Sequence, residues 1–489
     1  MSDAAEALSG ENRIMPEHEW VPLAVDLDGT LIKSDCFLES LLGLLKVNFL
    51  WLFVVPGWLA RGKAYLKQQI AERVTLNPKL LPYQTDFLEF LKEERAKGRE
   101  LVLATAAYRN HAESIADYLG IFDKVIATEY PENLSGERKL RRLLDLYGDK
   151  GFDYAGNARV DLRIWPWARA GIVVNPESGV LNPARKETQV LEVFRDSTGG
   201  LPAYIKAIRI HQWVKNVLIF VPLLSGHLVF DHTALINSLA AFVAFGLAAS
   251  SAYVLNDLFD LEADRAHPRK RKRPFASGRL SIFHGLILAP ALLLMAAAIA
   301  TMLPTYFGWV LAVYYVTTLL YTFKLKRYAT LDILALAGLY TLRIIAGAAA
   351  IGIMPSFWLL AFSMFVFLSL AQIKRSSELL TLQREGRIDV AGRGYIIDDL
   401  AVVMASGLAS GYAAVLVLAL YINSPQIQVL YKHAEFVWLL CPLMLYWINR
   451  MWMITHRGDM HDDPIVFAFR DRTGLLLGFL AAIVLLLAI

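Results

Sequence analysis

Two groups of carboxylates stand out by type and spacing. In the first, the apolar run Leu23-Ala24-Val25 leads directly into Asp26-Leu27-Asp28-Gly29-Thr30. Asp26 and Asp28 point the same way if the turn allows it, and Gly29 lets the backbone approach a ligand. In the second, a long apolar run closes in Asn256-Asp257-Leu258-Phe259-Asp260-Leu261-Glu262-Ala263-Asp264-Arg265. Offsets of three and four align Asp257, Asp260 and Asp264 on one helical face. Three carboxylates at the end of a membrane helix are costly unless a cation offsets them. Mg²⁺ carrying a diphosphate is the natural cation, because it takes carboxylates together with phosphate oxygens. The basic run His267-Pro268-Arg269-Lys270-Arg271-Lys272-Arg273-Pro274 follows at once. Alone, that run suits topology and headgroup attraction, and the acids suit a solvated helix end. Acids and bases at one mouth favour a diphosphate.

The elements that position these groups follow from composition. The chain has 489 residues, 56% of them hydrophobic, and a mean hydropathy of +0.42. That is too apolar for a wholly soluble protein, which sits near about 45–50%. Residues 201–489 carry 24 Lys+Arg against 16 Asp+Glu, so the basic balance belongs to the second half. Its basic residues lie between apolar runs of spanning length, which argues against nucleic acid as a partner. Cys36 and Cys441 are the only cysteines and form no redox or metal pattern. Residues 1–20 are a polar tail without the basic start and apolar core of a secretory signal. Asp196–Pro202 reads as a turn-rich linker. Beyond it, nine apolar segments are expected near 213–230, 232–255, 280–302, 305–323, 330–353, 356–373, 396–422, 434–454 and 472–489. The loops after the even-numbered segments carry 7, 3, 5 and 4 Lys+Arg, against Lys432 alone in the others. This bias predicts a multi-pass protein of a bacterial-type inner (plasma) membrane, with these loops and the N-terminal domain in the cytoplasm.

In residues 21–195, further strands are expected at Leu101–Ala104, ending at Thr105, and at Gly171–Pro176, and Tyr154-Ala155-Gly156-Asn157, with Asp161 four residues on, is a further motif. Lys139 falls on a helical stretch between them. Strands alternating with helices predict a parallel sheet with its ligand at the carboxyl ends of the strands. The order and spacing of the four motifs resemble the haloacid dehalogenase (HAD) superfamily of phosphatases. The resemblance implies a helical cap, Asp26 as nucleophile, Asp28 as general acid/base, and Thr105 and Lys139 on the phosphoryl group. It also implies one Mg²⁺ among Asp26, the Asp28 carbonyl and the fourth motif, where Asn157 and Asp161 stand. Asn157 occupies the usual position of an acid and offers oxygen without charge, so a HAD domain kept only for docking or regulation stays open. Leu41–Ala60 is long and apolar enough to span a bilayer, yet it separates two motifs that must share one sheet. It is therefore expected as a cap helix in the headgroup layer or as a helix pair packed on the protein's own membrane half.

Residues 203–489 resemble the UbiA superfamily of intramembrane transferases, which implies an all-α bundle of nine transmembrane helices. Ordinary members carry a second Asp-rich motif after the sixth helix. Here that loop reads Gln372-Ile373-Lys374-Arg375-Ser376-Ser377-Glu378, with cations where acids would stand. The segments Arg209–Asn216, Tyr321–Arg327, Leu342–Gly347, His461–Pro464 and Arg470–Arg472 resemble the decaprenyl-phosphate phosphoribosyltransferase branch. That resemblance implies 5-phosphoribosyl 1-diphosphate as donor, polyprenyl phosphate as acceptor, and at least one Mg²⁺ at Asp257, Asp260 and Asp264. Candidate substrate-binding residues are Lys215, Asn256, Arg265, Lys270, Arg273, Tyr321, Lys324, Lys326, Arg343, Lys374 and Arg375. Arg343 is the sharpest of them, because a charge inside an apolar helix is functional by default; its structural alternative is a pair with Asp332.

Two such halves on one side of a membrane suggest a bifunctional enzyme for cell-wall biosynthesis. The membrane half would make a lipid-linked 5-phosphoribose and the HAD half would remove the 5-phosphate. An aromatic prenyltransferase using prenyl diphosphate is the rival, and a homo-oligomeric state is left open.

Overall fold

The computed structural model describes residues 21–196, 199–386, 394–425, 427, 431–460, 463–468 and 470–488. The tail 1–20, linker residues 197–198, and His461 and Asp462 lie outside the described residues. Contacts divide the chain into two units: Met1–Tyr204 with Asp257–Gly285, and Ile205–Asn256 with Leu286–Ile489. The segment carrying the second acidic group therefore packs with the first unit, although it lies between two long apolar helices in sequence.

The first unit holds six strands: β1 Leu23–Val25, β2 Leu101–Tyr108, β3 Lys124–Thr128, β4 Asp153–Gly156, β5 Ala170–Val174 and β6 Gln189–Phe194. They form one sheet in the order β3-β2-β1-β4-β5-β6, with every pair parallel. β1 has only three residues, all fully buried, because it is central and covered on both faces. The alternation of β1 and β2 divides them between two cores. Leu23, Val25, Leu101 and Leu103 face one, while Ala24, Val102 and Ala104 face the other. Parallel pairing brings the carboxyl ends of β1, β2 and β4 to one edge, where Asp26 follows β1 and Asn157 follows β4, while Thr105 lies within β2, which runs to Tyr108 rather than ending at Thr105 as expected.

Between β1 and β2 lie α1 Cys36–Val47, α2 Trp51–Ala60, α3 Lys63–Ala71 and α4 Thr85–Ala96. The helices α5 Arg109–Leu119, α6 Glu137–Tyr147 and α7 Leu181–Glu187 complete the unit. The apolar stretch 41–60 is not one span. α1 stops at Asn48, and α2 has only ten residues. One side of α2 packs on α3: Trp51, Val55 and Trp58 lie against Leu44, Leu66 and Ile70, with the Arg73 guanidinium over both indoles. The other side stays bare, with Phe53 76% exposed.

Buried in α5, the His111 imidazole is pushed down to about 4 by desolvation. Its unfolded value near 6.5 makes the unfolded chain the better proton acceptor, so stability is lost as pH falls from about 6.5 toward 4. We expect His111→Leu to flatten the fall of thermal midpoint across that window, measured on the full chain. An unchanged slope would assign the acid sensitivity to other groups.

Among the described residues, seven helices are long and apolar enough to cross a membrane: His232–Phe259, Ile282–Ala300, Thr305–Phe323, Leu331–Ala350, Phe357–Arg384, Ile397–Ile422 and Ala434–Arg457. The expected first and ninth spans take other forms. Residues 210–225 form a 3₁₀ stretch, Ile210–Phe220, followed by the short helix Val221–Ser225. Pro222, which lacks an N–H, stands at the start of that short helix. The last helix, Arg472–Ala488, has 17 residues. A close approach fixes the 3₁₀ stretch in place. A Cβ on Gly347 would collide with the Ile219 carbonyl, so glycine lets the segment lie against helix Leu331–Ala350.

Candidate functional site

Asp26, Thr105 and Lys139 are buried at the edge of the sheet. Lys139 Nζ donates to Asp26 Oδ1 at 2.6 Å and to Tyr154 Oη at 3.1 Å. Burial alone would lower the Lys139 ammonium, but Asp26 and Asp161 outweigh it and hold it raised. Burial lifts the Asp26 carboxyl to about 6 against the pull of Lys139. Burial, with Asp35 adding repulsion, lifts the Asp28 carboxyl to about 8. Two adjacent carboxyls with separated affinities suit an ionised nucleophile beside a protonated acid. Asp28 is aimed by the first turn of α1, whose Cys36 N–H donates to its Oδ1 at 2.8 Å.

Gly29 sits at φ +78°, and a Cβ there would collide with the Asn157 amide. The Asn157 side chain therefore lies directly over the turn Asp26–Thr30, and its Oδ1 accepts from Thr30 Oγ1 at 3.3 Å. Asp161 is fully buried and turned onto its own loop. Its Oδ1 accepts from Tyr154 Oη at 2.8 Å, and its Oδ2 accepts the N–H groups of Asn157 and Ala158 at 2.9 Å each. Thr105 Oγ1 accepts from the Ala107 N–H at 3.0 Å. Lys67 of α3 has no motif to announce it. Its Nζ bonds Ala106 O and Asn133 Oδ1; burial lowers its ammonium, with the fields of Asp28 and Asp35 opposing. Its only sequence signal is a lysine in a helix otherwise used for packing.

The second acidic group departs from the expected single face. The helix His232–Phe259 ends, and Asp260 stands at the start of a new turn, Leu261–Ala266. Two cations share the acids between them. Arg273 Nη1 reaches Asp257 Oδ1 at 3.1 Å and Asp264 Oδ2 at 2.6 Å, while Lys46 of α1 lies 3.6 Å from Asp260. Among the described residues no three His, Cys, Asp or Glu side chains converge on one metal position. Asp257 and Asp264 do converge on one cation, the guanidinium, which stands where a divalent ion would neutralise them. Lys270 is exposed in the following turn, and Asn256 is half-buried.

Arg265 points away from the acids. Its guanidinium forms a bidentate pair with Glu39 of α1 at 2.6 and 2.8 Å, and both side chains are buried. Removing one partner of such a pair strands a buried charge, at a cost of about 3–5 kcal/mol. We expect Glu39→Ala to lower the thermal midpoint of the full chain and Glu39→Ala/Arg265→Met to recover most of the loss. A thermal-shift double-mutant cycle with no coupling would sink this reading.

The second unit gathers a different charge set. Arg343 is 4% exposed. Its guanidinium donates to Asn216 Oδ1 at 3.0 Å, Tyr314 Oη at 3.0 Å and the Leu339 carbonyl at 2.5 Å. The rings of Tyr314 and Tyr340 flank it. These partners are neutral, and among the described residues no carboxylate pairs with it. The expected alternative partner, Asp332, binds Arg375 instead, at 2.5 Å with both side chains fully buried. Tyr321 also donates to Asp332, at 2.8 Å. The reason is distance: Asp332 lies eleven residues before Arg343 on the same helix, roughly 16 Å along its axis. Arg375 further pairs with Glu378, so it belongs to a buried structural network rather than to the Arg343 cluster. Lys215, next to Asn216, forms a close ion pair with Asp463, and Lys374 lies 4.0 Å from the same carboxylate. Lys324 is exposed and Lys326 half-buried in the turn after Thr305–Phe323. Asn216 was not singled out among the sequence candidates, yet it orients Arg343 and keeps a buried Nδ2 without a hydrogen-bond partner.

Comparison with known proteins adds the following. The pattern of the UbiA prenyltransferase family matches residues 219–487, and that of haloacid dehalogenase-like hydrolases matches residues 23–163. The uncharacterised protein y4nM of Sinorhizobium fredii is 37% identical over 94% of this chain and 90% of its own length. The nodulation protein NoeC of Azorhizobium caulinodans is 37% identical over 58% of this chain and 93% of its length. The decaprenyl-phosphate phosphoribosyltransferase of Mycobacterium tuberculosis is 40% identical over 37% of this chain, a match spanning 62% of that enzyme.

Proposed function

From the premise that the chain belongs to the UbiA prenyltransferase family and carries an N-terminal HAD-like hydrolase domain, we propose that it is a two-step enzyme of the inner membrane. In the first step, an oxygen of a polyprenyl phosphate attacks the anomeric carbon of 5-phosphoribosyl 1-diphosphate, the C1–O bond breaks, and pyrophosphate leaves. In the second, the HAD domain, on the cytoplasmic face with the basic loops, hydrolyses the 5-phosphate to leave polyprenyl-phosphoryl ribose. The observation that carries the first step is Arg343, a buried cation whose partners among the described residues are neutral. Such a charge is balanced by an anionic substrate.

Asp257 and Asp264, which converge on one cation in the structure, would hold Mg²⁺, which would neutralise the departing diphosphate, while Asp260 lies apart beside Lys46. Arg273, paired with both acids in the structure, would be free to meet phosphate oxygens once an ion neutralised them. Arg343, Lys215 and Lys374 hold phosphate groups of donor and acceptor, with Asn216 fixing the guanidinium plane. The acceptor is already an anion, so no strong base is needed; positioning and charge neutralisation suffice.

For the phosphatase, Asp26, the Asp28 carbonyl and Asn157 would hold one Mg²⁺, a hard-oxygen set suited to it; that ion neutralises the phosphoryl oxygens. Asp26 attacks phosphorus and forms an aspartyl-phosphate. Asp28, held protonated by burial, gives its proton to the departing sugar oxygen, then takes one from the water that hydrolyses the intermediate. Lys139 and Thr105 bind phosphoryl oxygens. The neutral Asn157 weakens ion binding, so Asn157→Asp is expected to lower the Mg²⁺ concentration for half-maximal phosphatase activity several-fold. An unchanged Mg²⁺ titration would remove Asn157 from the ion's shell.

The deciding experiment supplies the solubilised protein with radiolabelled 5-phosphoribosyl 1-diphosphate, polyprenyl phosphate and Mg²⁺. Lipid-linked ribose is the expected product. Activity on prenyl diphosphate and an aromatic acid instead would replace this reading.

A further inference from the structure

The HAD unit contains a second feature that the phosphatase chemistry does not use. A cleft of about 760 Å³ opens between the start of α3, the start of α6 and the turn Arg159–Arg163. Arg61, Lys63, Arg138, Arg159 and Arg163 line it, and Glu137 is the acid among them. Among the described residues no carboxylate pairs with Arg61, Lys63, Arg138 or Arg163, whereas Glu137 lies 3.8 Å from Arg141. Tyr65 and Tyr130 also line the cleft, ring edge to ring face at 5.8 Å, and Arg61 donates to Tyr65 Oη at 3.1 Å. Concentrated, uncompensated positive charge in a concave surface selects an anion, and flat rings beside it suit a sugar face.

The walls of this cleft adjoin the catalytic groups in sequence and through Asn133. Asn133 in its lining bonds Lys67, whose ammonium feels Asp28. Residues 135–138 lead into Lys139, and the turn Arg159–Arg163 follows Asn157. The opposite end is apolar. Arg61 caps α2, whose outer side presents Phe53 and Leu59 to solvent. One ligand satisfies all three features: an apolar tail along α2, a phosphodiester among the arginines, and a sugar reaching toward Asp26.

We propose that this cleft is a binding site for the phosphodiester and sugar of a lipid-linked phosphosugar, so that the phosphatase acts on lipid-bound rather than free sugar phosphate. The inference rests on the phosphatase reading above and adds the site that would hold its lipid-linked substrate.

The test uses the full chain in detergent and farnesyl-phosphoryl ribose, a short prenyl phosphodiester without the 5-phosphate. Binding is compared between wild type and Arg159→Gln/Arg163→Gln, both exposed positions. The expected result is at least tenfold weaker binding in the variant, with KM for p-nitrophenyl phosphate unchanged. Lys63→Gln, on another wall, should weaken binding in the same sense. Equal affinity in wild type and variants overturns the proposal. Displacement of the probe by phosphatidylglycerol at similar concentration also overturns it, because the cleft would then be a general headgroup site. Failure of the wild type to hydrolyse any phosphomonoester would defeat the phosphatase reading separately, while the binding comparison still decides the cleft.

Discussion

Asp26→Asn is expected to stop the second step and leave the first intact. Given both substrates and Mg²⁺, the variant should accumulate lipid-linked 5-phosphoribose, where wild type yields lipid-linked ribose. Removing an attacking group costs about 10³-fold or more, since the remaining contacts bind without forming the covalent bond. The fold should survive, because the amide keeps the shape of the carboxylate and can still accept from Lys139, 2.6 Å from Oδ1. The readout is the ratio of phosphorylated to free ribosyl lipid. Free ribosyl lipid from Asp26→Asn at the wild-type rate would demote the HAD domain to docking or regulation and leave the transferase reading untouched.

Arg343→Met is expected to do the converse. Transfer should fall by about 10²–10³-fold, the usual loss when one preorganised donor to a developing or bound negative charge is removed. Stability should hold or rise, because Met replaces a buried cation that has no carboxylate partner among the described residues. Activity lost without stability lost separates a substrate-binding arginine from a structural one. Arg343→Lys should recover only part of the rate, since an ammonium cannot reach Asn216, Tyr314 and an anion in one plane. The control is Arg375→Met. It strands Asp332 in a fully buried site and should lower the thermal midpoint sharply. Transfer by Arg343→Met at the wild-type level would remove the anion site from the second unit.

These expectations also show where sequence and structure part. The strand-to-carboxylate junction at Asp26, the strand bearing Thr105 and the helix bearing Lys139 were legible from local pattern, though that strand runs past its expected end at Thr105 to Tyr108. Each lies at the end of an apolar run, and parallel strands bring such ends to one edge. Lys67 was not legible, because a helical lysine becomes part of a site only when another strand places Asp28 and Asn133 beside it. The broken helix at Asp260 was missed for a related reason. The spacing of Asp257, Asp260 and Asp264 fits one helical face, but Lys46 and Arg273, distant in sequence, draw the acids to separate cations.

The sequence by itself determined the division into an α/β half and a membrane-type helical half, the kinship of each, and the presence of a charge within an apolar helix. Those features are local: composition, periodicity and short motifs survive without any long-range contact. Only the tertiary structure decided which buried charges are neutralised. It gave Asp332 to Arg375, left Arg343 among neutral donors and acceptors, and tied Arg265 to Glu39. Ion pairing depends on a few ångströms between residues far apart in the chain, and the cost of burial makes each choice nearly all-or-none. No reading along the sequence measures that distance.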